Sequence, residues 1–279
     1  MAISPDFPNP QQRPGKATLY TLAISHPGLA VIGMLSHAGV EHDVVELWPG
    51  THPVALRLRG FAGPTVPALR WGSRRLQNSR EIARLIDQQV PTRPLFPRAG
   101  PDRARVERAE AWGEETFQEL PRRIFRFVAA QSPAVRRWLA ATAGVPLPNL
   151  VARERRVARA FADRSAATGE TVRADIARLP LHLDYVGELL DSGVIGGEVP
   201  NAADFQIAAT IRSLQGIGDL AEFIDRHPVA RWAAHVLPTL PGPCPSALPA
   251  DWTLTLRTAP ILRPEPPTEP HRPCAGSPT

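Results

Sequence analysis

The feature that most constrains this chain is a proline set inside an apolar run. Thr65-Val66-Pro67-Ala68-Leu69 reads as a β-strand, yet Pro67 has no N–H to give to a sheet. Proline is tolerated at strand starts, edges and bulges, and an X–Pro bond reaches the cis form at small cost. Two readings satisfy the residue. One is a proline turn between two strands. In the other, Pro67 breaks the strand so that the N–H and C=O of Val66 stay clear of the sheet and can pair with an extended ligand.

The segments around this proline follow a recognisable order. Ala17–Ile24 reads as a strand, Ser25-His26-Pro27-Gly28 as a turn, and Leu29–His37 as a helix that is apolar nearly all round and therefore buried on most faces. Gly39 is a natural stop, and Asp43–Trp48 a second strand. A strand, crossover helix and strand of this length make a βαβ unit, so the two strands are expected to be parallel. Val54–Arg59 fits one or two helical turns, Thr65–Trp71 and Arg74–Gln77 a hairpin, and Ser79–Gln89 a helix capped by Ser79. This order predicts an α/β, thioredoxin-like domain over 17–90, behind a disordered tail over 1–16. The Pro-rich segment 91–101 reads as a linker.

From Asp102 the pattern turns helical, giving an all-α domain over 102–240. Its helices are expected over 102–130 with a kink at Pro121, over 134–141, 149–166, 173–192 with an interruption at Pro180, 201–214, and 219–237 with a break at His227-Pro228. The Pro-rich segment 241–279 reads as a largely disordered tail, with Asp251–Leu256 as a stretch able to pack back on the body.

Charge and cysteine content remove whole classes of function. The formal net charge is +5, almost all of it arginine interleaved with Asp and Glu, so the clustered basic patch of a nucleic-acid surface is missing. No apolar run is long enough to span a bilayer and no signal-peptide pattern opens the chain; a cytoplasmic protein without a membrane partner is expected. Cys244 and Cys274 are the two cysteines, too few for a disulfide framework or a Cys-rich zinc site. The histidines lack zinc-ligand spacing, so no metal is assigned. No Gly-x-Ser-x-Gly elbow marks a hydrolase. Ser25-His26-Pro27-Gly28 contains no thiol, which excludes disulfide exchange at that turn.

Four stretches together resemble the cytosolic glutathione transferase family. They are Thr65-Val66-Pro67-Ala68-Leu69, Asn78-Ser79-Arg80-Glu81-Ile82, Ile195 to Phe205 with Asn201 and Asp204 as a capping box, and Ser25 after the first strand. The resemblance covers roughly residues 17–240 and implies a thioredoxin-like domain followed by a helical one. It implies an enzyme that activates glutathione or another low-molecular-weight thiol as its thiolate and conjugates it to an electrophilic small molecule. The thiol is a co-substrate, and no bound cofactor is implied. A homodimer is implied as well. The alternative is a non-catalytic member of the same fold, kept as a binding or assembly protein.

The same resemblance assigns roles. Val66 and Pro67 would pair with the thiol's backbone, and Ser79 at a helix N-terminus would take the γ-glutamyl carboxylate. Asn78 stands where the family usually has Glu or Asp; it keeps a hydrogen-bond acceptor and lacks the charge that meets an ammonium, so a thiol without that ammonium also suits it. Ser25 would donate to the thiolate and lower its pKa, or it would simply cap the helix. Tyr20 is the alternative hydroxyl, and His26 is expected to be a loop residue pointing elsewhere. Arg57 and Arg59 are candidate cations for a ligand carboxylate or plain surface residues. Trp112, Phe117 and Phe125 are candidate walls of the electrophile pocket or core residues. Asn201 and Asp204 have a structural role.

Overall fold

The computed structural model describes residues 15–146, 155–238, 242–254 and 256. The first half contains β1 (Ala17–Thr21), α1 (His26–His37), β2 (His42–Glu46), α2 (His52–Leu58), β3 (Ala68–Trp71), β4 (Arg74–Gln77) and α3 (Ser79–Gln89). The sheet order is β2-β1-β3-β4. β1 runs parallel to β2 with Leu19 opposite Val44, and antiparallel to β3 with Leu19 opposite Leu69. Because side chains alternate along a strand, Leu19 and Leu69 face the main core, while Tyr20 and Ala68 face a second one with Leu47, Leu56 and Phe61.

The helices begin where local chemistry dictates. Ser25 caps α1, its Oγ accepting the Gly28 N–H at 3.1 Å, and Pro27 sits in the first turn, where no backbone donor is lost. The cap of α3 differs from the expectation. Asn78, not Ser79, is the N-cap, and its Oδ1 accepts the Arg80 N–H at 2.8 Å. Ser79 is the first helical residue and is buried. Asn78 has φ of 82° and ψ of 127°, a strained backbone for a residue with a side chain.

The second half contains α4 (Pro101–Trp112), α5 (Glu119–Gln131), α6 (Pro133–Thr142), α7 (Arg155–Arg164), α8 (Gly169–Asp191), α9 (Ala202–Gln215), α10 (Gly218–Arg226) and α11 (Val229–Val236). The expected long helix over 102–130 breaks at a π-helical turn, Gly113–Phe117, instead of at Pro121. Pro121 lies in the first turn of α5, where a missing N–H costs little. α8 continues through Pro180. In the C-terminal segment, residues 242–254 and 256 lie against the helical half. Cys244 is buried beside Ile217, Asp219 accepts the Ala247 N–H at 2.8 Å, and the Trp252 ring stacks on Phe127 at 5.4 Å. The expectations for 1–14 and 257–279, and for the start of the 149–166 helix, lie outside the described residues.

α1 and α9 pack closely and carry the contact between the halves. Gly33 makes the approach possible: a Cβ there would lie 2.6 Å from Leu237 Cδ2 and 2.7 Å from Phe205 Cδ1. α9 is buried along almost its whole length and is fixed at its start. Asn201 Oδ1 accepts the N–H groups of Ala203 and Asp204 at 2.9 and 3.3 Å. The Asp204 carboxylate accepts from Asn201 N at 2.8 Å and Gly196 N at 2.6 Å. The Trp232 indole N–H faces this carboxylate without closing to a hydrogen bond.

Burial pushes the Asp204 carboxyl up to about 6, against the Asn201 and Gly196 amides and the Trp232 indole, which hold it down. A folded-state value above that of the unfolded chain means that folding takes up a proton between them. This contribution to stability is therefore fully present below about pH 4 and is lost as pH rises through about 6. Chemical denaturation of Asp204→Asn should lack the part of the pH slope that the wild type shows between those values. Asp204→Ala should cost about 2–4 kcal/mol, by removing the box and leaving the partly buried Asn201 and Gly196 amides without this acceptor.

Candidate functional site

A cleft of about 1080 Å³ opens between the two halves. Its α/β side carries Ser25, Val66, Pro67, Asn78 and Ser79. The loop that delivers Val66 is held by one side chain that the sequence reading passed over. Gln77, at the end of β4, accepts the Gly63 N–H through Oε1 at 2.7 Å and donates through Nε2 to the Gly63 and Thr65 carbonyls at 2.9 and 2.8 Å. The Val66–Pro67 bond is cis, and β3 begins at Ala68. Among the described residues the Val66 N–H and C=O have no main-chain partner. The Pro67 carbonyl accepts the Asn78 N–H at 3.3 Å, which ties the loop to the start of α3.

At that start the Ser79 hydroxyl faces the cleft and makes no hydrogen bond among the described residues. The unpaired amides of the first turn of α3 give this end its positive polarity. Asn78 extends its Nδ2–H to Glu114 Oε1 at 2.8 Å. Glu114 sits in the π-helical turn and also lines the cleft. The turn lies against α9 because Gly113 has no side chain; a Cβ there would stand 3.2 Å from Ile207 Cγ1. Arg80, on α3, reaches Glu110, Glu114 and Glu115 at 3.5, 3.6 and 3.1 Å, and Arg84 reaches Glu110 at 2.6 Å. Glu110 is fully buried, and burial raises its pKa while the two arginines hold it down. A carboxylate thus stands beside Asn78, supplied from the opposite half of the molecule.

The other expected residues divide between cleft and core. Ser25 caps α1, as one of its two readings has it, and lines the cleft. Tyr20 is outside the cleft: it is buried, packs edge-on against Phe61 at 5.6 Å and lies under the Arg59 guanidinium. Phe125 lines the cleft. Trp112 and Phe117 stack on each other at 5.0 Å, away from it. Arg57 and Arg59 are exposed and do not line it.

The sequence reading also missed the cations that do face the cleft, because they come from the helical half. They are Arg122 and Arg126 on α5, Arg136 on α6 and Arg164 on α7. Their positions in amphipathic helices gave no sign that the polar face would close over another domain. His26 is likewise not a loop residue pointing away. It opens α1, is buried and lines the cleft. Burial, then the charges of Arg122 and Arg126, lower its pKa to about 3, against a backbone contact with Gln118 that raises it. The ring is neutral at physiological pH, and its Nε2 has no partner among the described residues.

The Gln77 clamp makes a direct prediction. Gln77→Ala should speed hydrogen exchange at the Gly63 amide and cost about 1–3 kcal/mol, the range for partly buried groups left unpaired. An unchanged Gly63 exchange rate would show that the side chain does not hold the loop.

Residues 19–94 match the family profile of the glutathione S-transferase N-terminal domain. Among solved structures, the chain is similar to a glutathione S-transferase from Rhodospirillum rubrum F11, at 19% identity over 89% of this chain and 96% of that one, with a TM-score of 0.53. It is similar to FzlA from C. crescentus at 18% identity over 85% and 99%, with a TM-score of 0.55. A glutathione S-transferase from Sinorhizobium meliloti 1021 is similar at 18% identity over 88% and 94%, with a TM-score of 0.53. No curated protein sequence matches the chain. At these identities the structural likeness shows the fold, an α/β thioredoxin-like domain followed by a helical one.

Proposed function

With the N-terminal domain of the glutathione S-transferases over residues 19–94, the chain belongs to that family, and we propose that it conjugates glutathione or a close thiol relative to an electrophilic small molecule. The observation that carries this reading is the convergence of four features on one cleft: the Ser25 hydroxyl, the unpaired backbone of Val66, the start of α3 at Ser79, and the Asn78–Glu114 pair.

Each feature suits one part of the thiol. The Ser79 hydroxyl and the first-turn amides of α3 would take the γ-glutamyl carboxylate. Glu114 would meet the α-ammonium beside it, supplying the charge that Asn78 lacks. The Val66 N–H and C=O would pair with the cysteinyl backbone. The thiol would then lie near Ser25 at the N-terminus of α1. There the Ser25 oxygen accepts from Gly28 N–H while its own O–H remains to donate to sulfur. That donor and the helix end would lower the thiol pKa from about 8.5 towards neutrality. The thiol proton leaves to solvent, sulfur forms a bond to the electrophilic carbon, and the leaving group departs with its electron pair. The homodimer implied by the family is part of the same proposal.

The second reading, a non-catalytic binding or assembly protein, draws support from the engagement of Glu114. It already bonds Asn78 and lies 3.6 Å from Arg80, so an incoming ammonium must compete for it.

Calorimetry and turnover separate the two. Glutathione should bind, and Ser25→Ala should reduce conjugation of an aryl halide about 10²-fold, as for loss of one charge-stabilising donor, with binding retained. Glu114→Gln should weaken glutathione about tenfold or more while leaving the des-amino analogue unaffected, because only the former carries the ammonium. Absence of both binding and turnover with any thiol would leave the non-catalytic reading in place.

A further inference from the structure

We infer that the second ligand of the cleft is an organic acid: a flat apolar body whose carboxylate or sulfonate sits between Arg126 and Arg164. This deepens the transfer reading and rests on it for the identity of that ligand as the electrophile.

The far end of the cleft is apolar and positively charged at once. Phe161, on α7, is flanked by two guanidinium groups, with Arg126 Cζ 6.0 Å and Arg164 Cζ 5.1 Å from its ring centroid. Phe125, Leu139 and Val157 complete the apolar surface beside them. Among the described residues two carboxylates line the cleft, and both are engaged elsewhere. Glu114 is held by Asn78 and Arg80, and Glu119 by Arg122 and Arg123. Arg122 is thereby ion-paired. Among the described residues, Arg126 and Arg164 have no carboxylate within ion-pair distance and no hydrogen bond.

Arg126 is half-buried, and burial, then the charge of Arg122, disfavours its ionised form; Arg164 adds to this, and Glu119 offsets part of it. Two cations on neighbouring helices, both facing a cavity, repel each other and lack a counter-charge. A ligand anion supplies that charge, and guanidinium groups suit a planar carboxylate or a sulfonate. Phe125, Leu139 and Val157 offer apolar surface for the ligand body, while the guanidinium groups lie over the Phe161 ring. Such an arrangement selects acids over their neutral counterparts, since a neutral ligand would leave the half-buried Arg126 guanidinium uncompensated, with the exposed Arg164 beside it.

Fluorescence titration of two dyes with the same ring system tests this without a thiol: anilinonaphthalene sulfonate, which carries the anion, and N-phenyl-naphthylamine, which does not. The affinity ratio of sulfonate to neutral dye should fall about tenfold in the Arg126→Gln/Arg164→Gln double variant. The neutral dye should bind as in the wild type, which also shows that the variant is folded, and Arg126→Lys/Arg164→Lys should restore part of the ratio. An unchanged ratio in the double variant would overturn the inference, as would an equal loss for both dyes in a variant with wild-type circular dichroism. Glutathione binding is read separately. Its failure alongside the expected fall in dye ratio removes the transfer reading and leaves the anion site, and the converse result removes the anion site alone.

Discussion

The close packing of α1 against α9 is the contact on which the rest depends. α1 serves the sheet, the cleft and the second domain together: it covers Leu19 and Leu69, begins at Ser25, and lies on α9 across Gly33. The space at Gly33 is taken by Phe205 and Leu237, so the helices meet at nearly backbone distance. Tight interdigitation of this kind transmits small displacements instead of absorbing them. The capping box at Asn201 and Asp204 matters for the same reason. It sets the start of α9, and with it where Phe205 presses on α1.

Much of the fold was legible because it is written in local chemistry. The βαβ unit, the hairpin after Pro67 and the change to helical periodicity after Pro101 each follow from spacing and from proline's missing donor. The errors have local causes too. Ser79 and Asn78 are both good caps and adjacent, so one position of register decided between them, and the positive φ of Asn78 belongs to the turn out of β4. The π-helical turn has no periodicity signature of its own. It replaces an expected kink at Pro121 because Gly113 lets the backbone settle on α9.

The cleft was legible only on one side. Ser25, Val66, Pro67, Asn78 and Ser79 lie in the α/β half, where turns and helix starts mark them. Glu114, His26, Arg126 and Arg164 gain their meaning from what faces them across the gap, which no spacing along the chain records. Composition gave no help with the arginines: interleaved with acids they form no clustered patch along the chain, and only the fold brings Arg126 and Arg164 to one cleft. Tyr20 shows the opposite failure, a hydroxyl beside the right loop in sequence whose strand alternation turns it to the other side of the sheet.

The hydrogen bond from Asn78 to Glu114 has a consequence for how variants of this protein should be interpreted. The charge at that corner of the cleft is contributed by one domain and oriented by the other, so the two positions form a single genetic unit. A substitution at 78 that adds a carboxylate would repel Glu114 instead of improving the site, and the same change would be tolerated if 114 were neutral. Swapping either domain for that of a relative would then break a pair that neither domain carries by itself.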